Sequence, residues 1–316
     1  MKKTIMLTLV NLLVFMTSAS FAQNKVIDKT YQDIKKIEIN VGASDLTVKK
    51  SGSQDTQVMG EYNEDQIEVI MQVNNGTLVI REKTRRNSHN EQSNWTLIVP
   101  EGMQISSNSG SGNIRIGDVA LNLQANVGSG NFSFDKVGGN MQVNTGSGNI
   151  EINGSDAEFG CNTGSGNIEV SKSEGKFQLN TGSGQVSLQT VSGKISANTG
   201  SGDVNGRDIA ITGHSGFNSG SGKVAVQLGS APKADFSVNS GSGNSTLDFN
   251  GQNFDGELVM KCNKKSGSIA APFRFDTEEE QRNGNNYTLR KTKKFGNLDI
   301  KVQVSTGSGQ AKVIAP

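Results

Sequence analysis

The stretch LNTGSGQVSL, from Leu179 to Leu188, contains two short runs of alternating apolar residues separated by Thr-Gly-Ser-Gly. Alternation with a period of two is typical of strands that bury one face. Glycine allows the positive φ that a sharp corner needs, and it lets neighbouring backbones approach closely. The stretch therefore predicts a strand, a corner and a second strand.

The same phrase recurs along the chain. Gly-Ser-Gly begins six times at intervals of eighteen residues, returns twice after small insertions and occurs a last time from Gly307. The predicted corner glycines are Gly110, Gly128, Gly146, Gly164, Gly182, Gly200, Gly220 and Gly241. A fixed period of this length indicates an array of stacked structural repeats.

An asparagine precedes each corner at a constant offset. If equivalent residues stack in register, their amides can hydrogen-bond to each other and to backbone groups of the corner. The predicted asparagine ladder is Asn108, Asn126, Asn144, Asn162, Asn180, Asn198, Asn218, Asn239 and Asn263. An antiparallel meander would reverse neighbouring repeats and favour no residue type at one offset. We therefore expect an all-β chain folded as a single-stranded right-handed parallel β-helix, or β-solenoid, with about 18 residues per coil.

The N-terminus has the pattern of a signal peptide. Lys2 and Lys3 precede an apolar run from Ile5 to Phe15, and small residues lead to an expected cleavage after Ala22. The apolar run is too short to span a bilayer, so we expect that the chain is not an integral membrane protein. Residues 1–22 therefore predict export, with the mature chain periplasmic, on the outer surface or secreted.

The mature chain, residues 23–316, is expected to form one β-solenoid domain. Within it, residues 24–107 are expected to form irregular N-terminal coils or a cap, and residues 108–250 the regular repeats. Residues 251–316 are expected to form C-terminal coils or a cap. The formal charge changes from +1 to −1 when the two leader lysines are removed, so we expect no nucleic-acid partner.

The two cysteines share one core offset, five repeats apart. At about 4.8 Å per strand they would lie about 24 Å from each other, whereas a disulfide needs Cα atoms within ~7 Å. We therefore expect Cys161 and Cys262 to be buried free thiols.

Reactive constellations are sparse, and we expect no catalytic, cofactor-binding or metal-binding residues. The histidines, His89 and His214, have no catalytic pattern around them. A calcium array would need repeated acids after Gly-Ser-Gly, where Asp203 is the one acid. A carbohydrate-active enzyme would need clustered carboxylates, and Glu151 and Glu169 are the nearest approach to such a cluster.

Three segments resemble those of the bacterial "putative adhesin" domain family of unknown function, and of the related head-domain adhesins of Bacteroidetes. They are KIEINVGASDLTV at 36–48, LIVPEG at 97–102 and NTGSGNIEV at 162–170. The resemblance covers residues 25–316. It implies a single-stranded β-helix outside the cytoplasm, without catalytic residues.

We expect an exported, non-enzymatic β-solenoid that acts as an adhesin-like or envelope-associated binding or structural protein. The partner is unknown, with a cell-surface glycan or an envelope protein as the candidates, and no cofactor is expected. Two alternatives remain open. One is a carbohydrate-active enzyme on a β-helix scaffold, and the other is a periplasmic accessory of envelope-stress signalling.

Overall fold

The computed structural model describes residues 24–85, 92–284 and 286–314. All regular secondary structure in these ranges is β-strand. No helix within them is long and apolar enough to cross a membrane. The expected signal peptide, residues 1–22, and the candidate His89 lie outside the described residues.

The strands fall into three groups along the chain. The N-terminal group is β1 (Asn24–Tyr31), β2 (Lys36–Lys50), β3 (Thr56–Asn63), β4 (Ile67–Asn74), β5 (Thr77–Thr84) and β6 (Ser93–Val99). The central group is β7 (Gln104–Ser111), β8 (Ile114–Gly117), β9 (Ala120–Val127), β10 (Phe132–Asp135), β11 (Gly138–Thr145), β12 (Ile150–Asn153), β13 (Asp156–Thr163), β14 (Ile168–Thr181), β15 (Val186–Thr199), β16 (Val204–Ile211), β17 (Ser215–Ser219), β18 (Val224–Leu228), β19 (Phe236–Ser240) and β20 (Ser245–Asp248). The C-terminal group is β21 (Gly256–Asn263), β22 (Ser268–Ala270), β23 (Thr277–Asn283), β24 (Asn286–Phe295), β25 (Lys301–Thr306) and β26 (Gln310–Ile314).

The central strands form two parallel stacks. In the first stack, β7, β9, β11 and β13 pair in sequence, and in the second stack β8, β10 and β12 do so. Partners in both stacks are eighteen residues apart, as for Asn144 and Asn162. The alternating sequence of each strand places its apolar residues inward and its polar residues toward solvent.

The predicted single-stranded right-handed parallel β-helix of about 18 residues per coil is wrong. Nine parallel strands instead pair in a closed ring, in the order β2, β7, β9, β11, β13, β14, β12, β10 and β8. The ring closes because β2 and β14 are long, continuous strands, whereas each repeat between them is divided into two shorter strands. Each of these long strands therefore pairs in both stacks, and the remaining strands lie outside the ring.

The eighteen-residue spacing also holds for only part of the chain. The asparagine partners are 20 residues apart between Asn198 and Asn218, and 21 apart between Asn218 and Asn239. Beyond β19 the stack continues with β25, which pairs with it in parallel. Asn239 therefore lies opposite Ser305, 66 residues later in the chain. β21 pairs with the far side of β25. Insertions of unequal length therefore separate chain order from stacking order.

Antiparallel strands extend both ends of the parallel stacks. At the N-terminal end, β4 pairs with β5, and β3 pairs with both β1 and β6. At the C-terminal end, β24 pairs with both β21 and β23. These additions contradict a uniformly parallel fold, and they cover the edges that a parallel stack would otherwise leave unpaired.

The core lies between the two stacks and is thin. Phe134 on β10 contacts Phe159 on β13 edge to face, with ring centroids 5.4 Å apart. Phe159 in turn stacks on Phe177 of the next repeat at 5.9 Å. All three rings are buried. Parallel pairing in register thus places like side chains in columns. The corners that connect the strands of the two stacks carry polar residues.

Candidate binding groove

Each corner is braced by a buried hydroxyl. The hydroxyl of Thr163 accepts a hydrogen bond from the amide of Gly166 at 3.0 Å and donates to the carbonyl of Gly148 at 2.9 Å. The residues that make the equivalent pair of contacts are Thr145, Thr181, Thr199, Ser219, Ser240 and Thr306. The hydroxyl therefore closes its own corner and ties it to the preceding one, satisfying backbone groups that a tight turn leaves open.

The glycines of successive corners lie directly over one another. A Cβ atom built on Gly146 would lie 2.6 Å from the carbonyl oxygen of Gly128, and one built on Gly148 would lie 1.7 Å from that of Gly130. The stack contains the eight predicted corner glycines Gly110, Gly128, Gly146, Gly164, Gly182, Gly200, Gly220 and Gly241. None of these eight has a positive φ. Close approach of backbones, and not a left-handed conformation, therefore requires glycine at seven of these positions, where the built Cβ would lie 2.3 to 2.6 Å from a carbonyl oxygen, whereas at Gly110 this distance is 3.1 Å.

Asparagine side chains form a continuous ladder beside this stack. Each Nδ2 donates to the Oδ1 of the asparagine before it, at 2.8 to 3.1 Å. The members are Asn108, Asn126, Asn144, Asn162, Asn180, Asn198, Asn218 and Asn239. Asn108 donates further to Asn40, which the sequence analysis did not include, and the hydroxyl of Ser305 bonds to Asn239 at the other end.

Asn263 does not belong to the ladder, so that part of the prediction is wrong. It lies on β21 opposite Thr288, and its Oδ1 accepts a hydrogen bond from the amide of Lys265. Lys261, two residues earlier, lies opposite Ser305. The segment before β21 changes the register by two residues and moves the strand outside β25, which a count of repeat offsets cannot detect.

A second polar column follows the corner. The Oδ1 of Asn131 accepts from the backbone amide of Asn149 at 2.8 Å, and that of Asn149 accepts from Asn167 at 2.8 Å. Sequence reasoning tested this position for calcium and missed its structural use. The signal was present, since an asparagine follows Gly-Ser-Gly in most repeats. A side chain that accepts a hydrogen bond from the next backbone amide supports the corners directly.

Asp45 stands at the start of this second column. Its Oδ1 accepts from the amide of Asn113 at 2.7 Å, and its Oδ2 contacts Nη1 of Arg115 at 2.9 Å. Partial burial of Asp45 disfavours the charged form. The hydrogen bonds and the positive charge of Arg115 outweigh this effect, and they hold the pKa of the carboxyl below its ordinary value.

An open groove of about 850 Å³ runs along the asparagine ladder at its N-terminal end. We call it the asparagine groove and define it by Asn40, Asn108, Asn126, Asn144, Asn162 and Glu82, with the corner glycines between them. The amides from Asn108 to Asn162 are exposed, whereas those of Asn180 and Asn198 are half-buried. The groove therefore presents a row of accessible amides beside the stacked corner glycines.

Glu82 is the one charged side chain among the described residues that line the groove. Its Oε1 accepts from the indole of Trp95 at 2.7 Å and from the hydroxyl of Ser93. Its Oε2 accepts from the hydroxyl of Ser44 at 2.9 Å and from the amide of Gly42 at 3.1 Å. Four donors, three of them from buried side chains, thus fix a carboxylate at one end of the groove.

Both cysteines are buried free thiols. Cys161 lies in the first stack between Val143 and Leu179, and burial raises the pKa of its thiol. Cys262 lies on β21 opposite Thr306, so it does not share the core offset of Cys161. Burial raises its pKa too, against the opposing charge of Lys291.

The remaining candidate residues are dispersed. His214 is exposed next to a corner, and Glu151 and Glu169 lie opposite each other on neighbouring strands with solvent-exposed side chains. In the described ranges, no group of three or more histidine, cysteine or acidic side chains could hold a metal ion. His214, Glu151 and Glu169 do not line the asparagine groove.

Three solved structures are similar to this chain over most of its length. A "putative adhesin" from Parabacteroides distasonis is 12% identical, with 93% of this chain and 98% of that chain covered and a TM-score of 0.47. A "putative lipid binding protein" from the same species is 16% identical, with 93% and 98% covered and a TM-score of 0.42. A "putative adhesin" from Bacteroides fragilis is 12% identical, with 93% and 99% covered and a TM-score of 0.34.

No curated protein sequence matches the chain. The family described as Toastrack DUF4097 matches residues 34–264, which is most of the chain and includes the whole asparagine groove. The resemblance to the adhesin-like family of unknown function is thereby confirmed. The chain belongs to the Toastrack DUF4097 family.

Proposed function

We propose that this protein is an exported, non-enzymatic, adhesin-like binding protein of the cell envelope, and that the asparagine groove is its binding surface. In this proposal residues 1–22 are a cleaved signal peptide, and residues 23–316 form one domain outside the cytoplasm. The observation that carries the proposal is the row of exposed amides along an open groove of about 850 Å³.

The groove is rigid because its walls are held by the fold itself. The hydroxyl of Thr145 spans two corners, and the side chain of Asn144 is held by neighbouring asparagines on both sides. A ligand would therefore meet polar groups that are already in position, and binding would order few protein side chains. Rigid amides favour recognition, because they offer donors and acceptors but no nucleophile or proton-transfer group.

Binding to intact bacterial cells and to isolated cell envelopes tests the proposal. The fluorescently labelled mature chain should be retained, and the double variant Asn126→Ala/Asn144→Ala should reduce retention at least fivefold. The matched control is Asn131→Ala/Asn149→Ala, which removes two amides from the same repeats but outside the groove. Equal retention of the two variants would show that the groove is not the binding surface.

Protease treatment of intact producing cells, with N-terminal sequencing of the product, tests the export part separately. We expect a mature N-terminus at Gln23 and a product outside the cytoplasm. A chain that keeps Met1 and fractionates with the cytoplasm would refute export.

A further inference from the structure

We infer that the asparagine groove binds an extended, uncharged, β-linked polysaccharide, with successive sugars placed along the row of amides. The inference rests on the proposed function, since it names the ligand class of the same groove. It follows from three properties of the groove: the hydrogen-bonding capacity left on each amide, the spacing of the amides and the distribution of charge.

Each groove asparagine has spare hydrogen-bonding capacity. Asn126 donates one N–H to Asn108 and accepts one hydrogen bond from Asn144. A primary amide has two N–H groups and two lone pairs on its oxygen, so one donor and one acceptor remain. The amide is exposed and can direct them into the groove. Sugar hydroxyls both donate and accept, which matches a row that alternates between the two.

The spacing of the row favours a sugar chain over a peptide. The amides repeat with the strands, at about 4.8 Å, whereas an extended peptide advances ~3.3 Å per residue and would lose register at once. An extended β-linked hexose chain advances by nearly one strand spacing per sugar. The five asparagines from Asn40 to Asn162 span about 19 Å at this spacing, enough for about four sugars.

The charge distribution favours an uncharged ligand. The groove offers no cationic side chain among its described lining residues to pair with a carboxylate or sulfate. Its single charge is the carboxylate of Glu82, whose four protein donors leave it little capacity for a ligand hydroxyl. An anionic polysaccharide would therefore be repelled at that end, and no cationic side chain among the described lining residues would compensate for this repulsion.

Titration calorimetry of the mature chain with matched oligosaccharides tests the inference. The probes are β-1,4-linked hexasaccharides of glucose, mannose and N-acetylglucosamine, together with the mannuronate hexasaccharide, which differs from the mannose probe by its carboxylates. At least one neutral probe should bind, and mannuronate should bind at least tenfold more weakly than the best of them. The affinity for the neutral probe should change little between low and moderate salt.

Variants connect this binding to the groove. Asn126→Ala/Asn144→Ala should lower the affinity for the neutral hexasaccharide at least tenfold, whereas Asn131→Ala/Asn149→Ala should leave this affinity nearly unchanged. Glu82→Gln should reduce the difference in affinity between the mannose and the mannuronate hexasaccharides. Thermal unfolding of each variant checks that the fold is retained, and the comparison of neutral and anionic probes on the unaltered chain does not depend on any variant.

The outcomes separate this inference from the proposed function. Retention on cells that depends on the groove, without binding of any neutral hexasaccharide, would overturn the polysaccharide inference and leave the proposed function standing. Equal or tighter binding of mannuronate would overturn the inference as well. Absence of binding to cells, envelopes and all four probes would overturn both.

Discussion

At the scale of single residues, the corner depends on two side-chain choices that act together. Glycine allows the backbones of successive repeats to approach, and the preceding threonine or serine supplies the hydroxyl that bonds both of them. Neither choice would suffice alone. Without glycine the repeats could not close, and without the hydroxyl two buried backbone groups would lack a partner.

The second glycine of a corner is expected to tolerate no side chain. In Gly148→Ala the new Cβ would lie 1.7 Å from the carbonyl oxygen of Gly130, so the backbones would have to separate. We expect a loss of at least about 3 kcal/mol in the free energy of unfolding, measured by chemical denaturation. The control is Gly52→Ala, where no atom lies within 4 Å of the built Cβ and the loss should stay within about 0.5 kcal/mol.

Removing the corner hydroxyl should also destabilise the protein. Thr163→Val keeps the shape of the side chain but leaves the amide of Gly166 and the carbonyl of Gly148 unpaired. The expected loss in the free energy of unfolding is about 1–3 kcal/mol. Thr163→Ser keeps the hydroxyl, and Ser219 makes the same pair of contacts at its own corner. This variant should lose clearly less free energy of unfolding than Thr163→Val. If both variants were equally unstable, the hydrogen bonds would not be the cause.

At the scale of the strands, the ends of the two stacks are built differently from their middles. Antiparallel strands cover the ends, and at the first position of the second column one charged side chain, that of Asp45, takes the place of asparagine. Asp45 on β2 begins that column and bonds to the backbone of the next strand. The strand on the other side of β2 is β6, which places Asn94 opposite Asp45, and the carboxylate of Asp45 is paired with the charge of Arg115 on the next strand of the column.

The lowered pKa of Asp45 predicts a loss of stability in acid. Because the pKa of its carboxyl is lower in the folded than in the unfolded chain, its contribution is present above the unfolded value, near 4, and is lost as the pH falls through the folded value. Unfolding free energies measured between pH 7 and pH 2 should fall at the acid end, and less steeply in Asp45→Asn. The same acid dependence in both proteins would show that other carboxyls are responsible.

At the scale of the whole molecule, the equal length of the repeats should allow one repeat to be removed from the ring of parallel strands. β11 and β12 occupy one repeat of eighteen residues between equivalent neighbours, and their partners on both sides carry the same polar residues. A repeat array is stabilised mainly by contacts between adjacent repeats. Removing one whole repeat would therefore bring together two surfaces that already match.

Deletion of residues 138–155 tests this property. The shortened chain should fold cooperatively, because β9 would then meet β13 and β10 would meet β14 in the original register. Circular dichroism and thermal unfolding provide the measurement. Deletion of residues 138–146, half a repeat, should abolish cooperative unfolding because it places corners against strands. Similar unfolding of both deletions would contradict the importance of register.

The same deletion would also shorten the asparagine groove by one amide, Asn144. If the polysaccharide inference holds, the shortened chain should still bind the neutral hexasaccharide but with lower affinity than the full chain. The change would reflect the length of the groove, since the remaining corners and amides keep their hydrogen bonds.

Within a run of equal repeats, the sequence by itself determines which residues meet. Alternation of apolar residues produces strands, and equal spacing brings equal offsets together, as for Asn126 and Asn144. Both relations depend on short stretches of chain and their period. The family resemblance could be recognised from the same segments.

Only the tertiary structure decided what happens where the spacing changes. It excluded Asn263 from the ladder and added Asn40, moved β21 outside β25, and closed nine strands into a ring through β2 and β14. It also brought Glu82, from a strand outside the ring, to the end of the groove. The physical reason is that a loop of any length can connect two strands, so pairing across unequal insertions depends on which surfaces match in space.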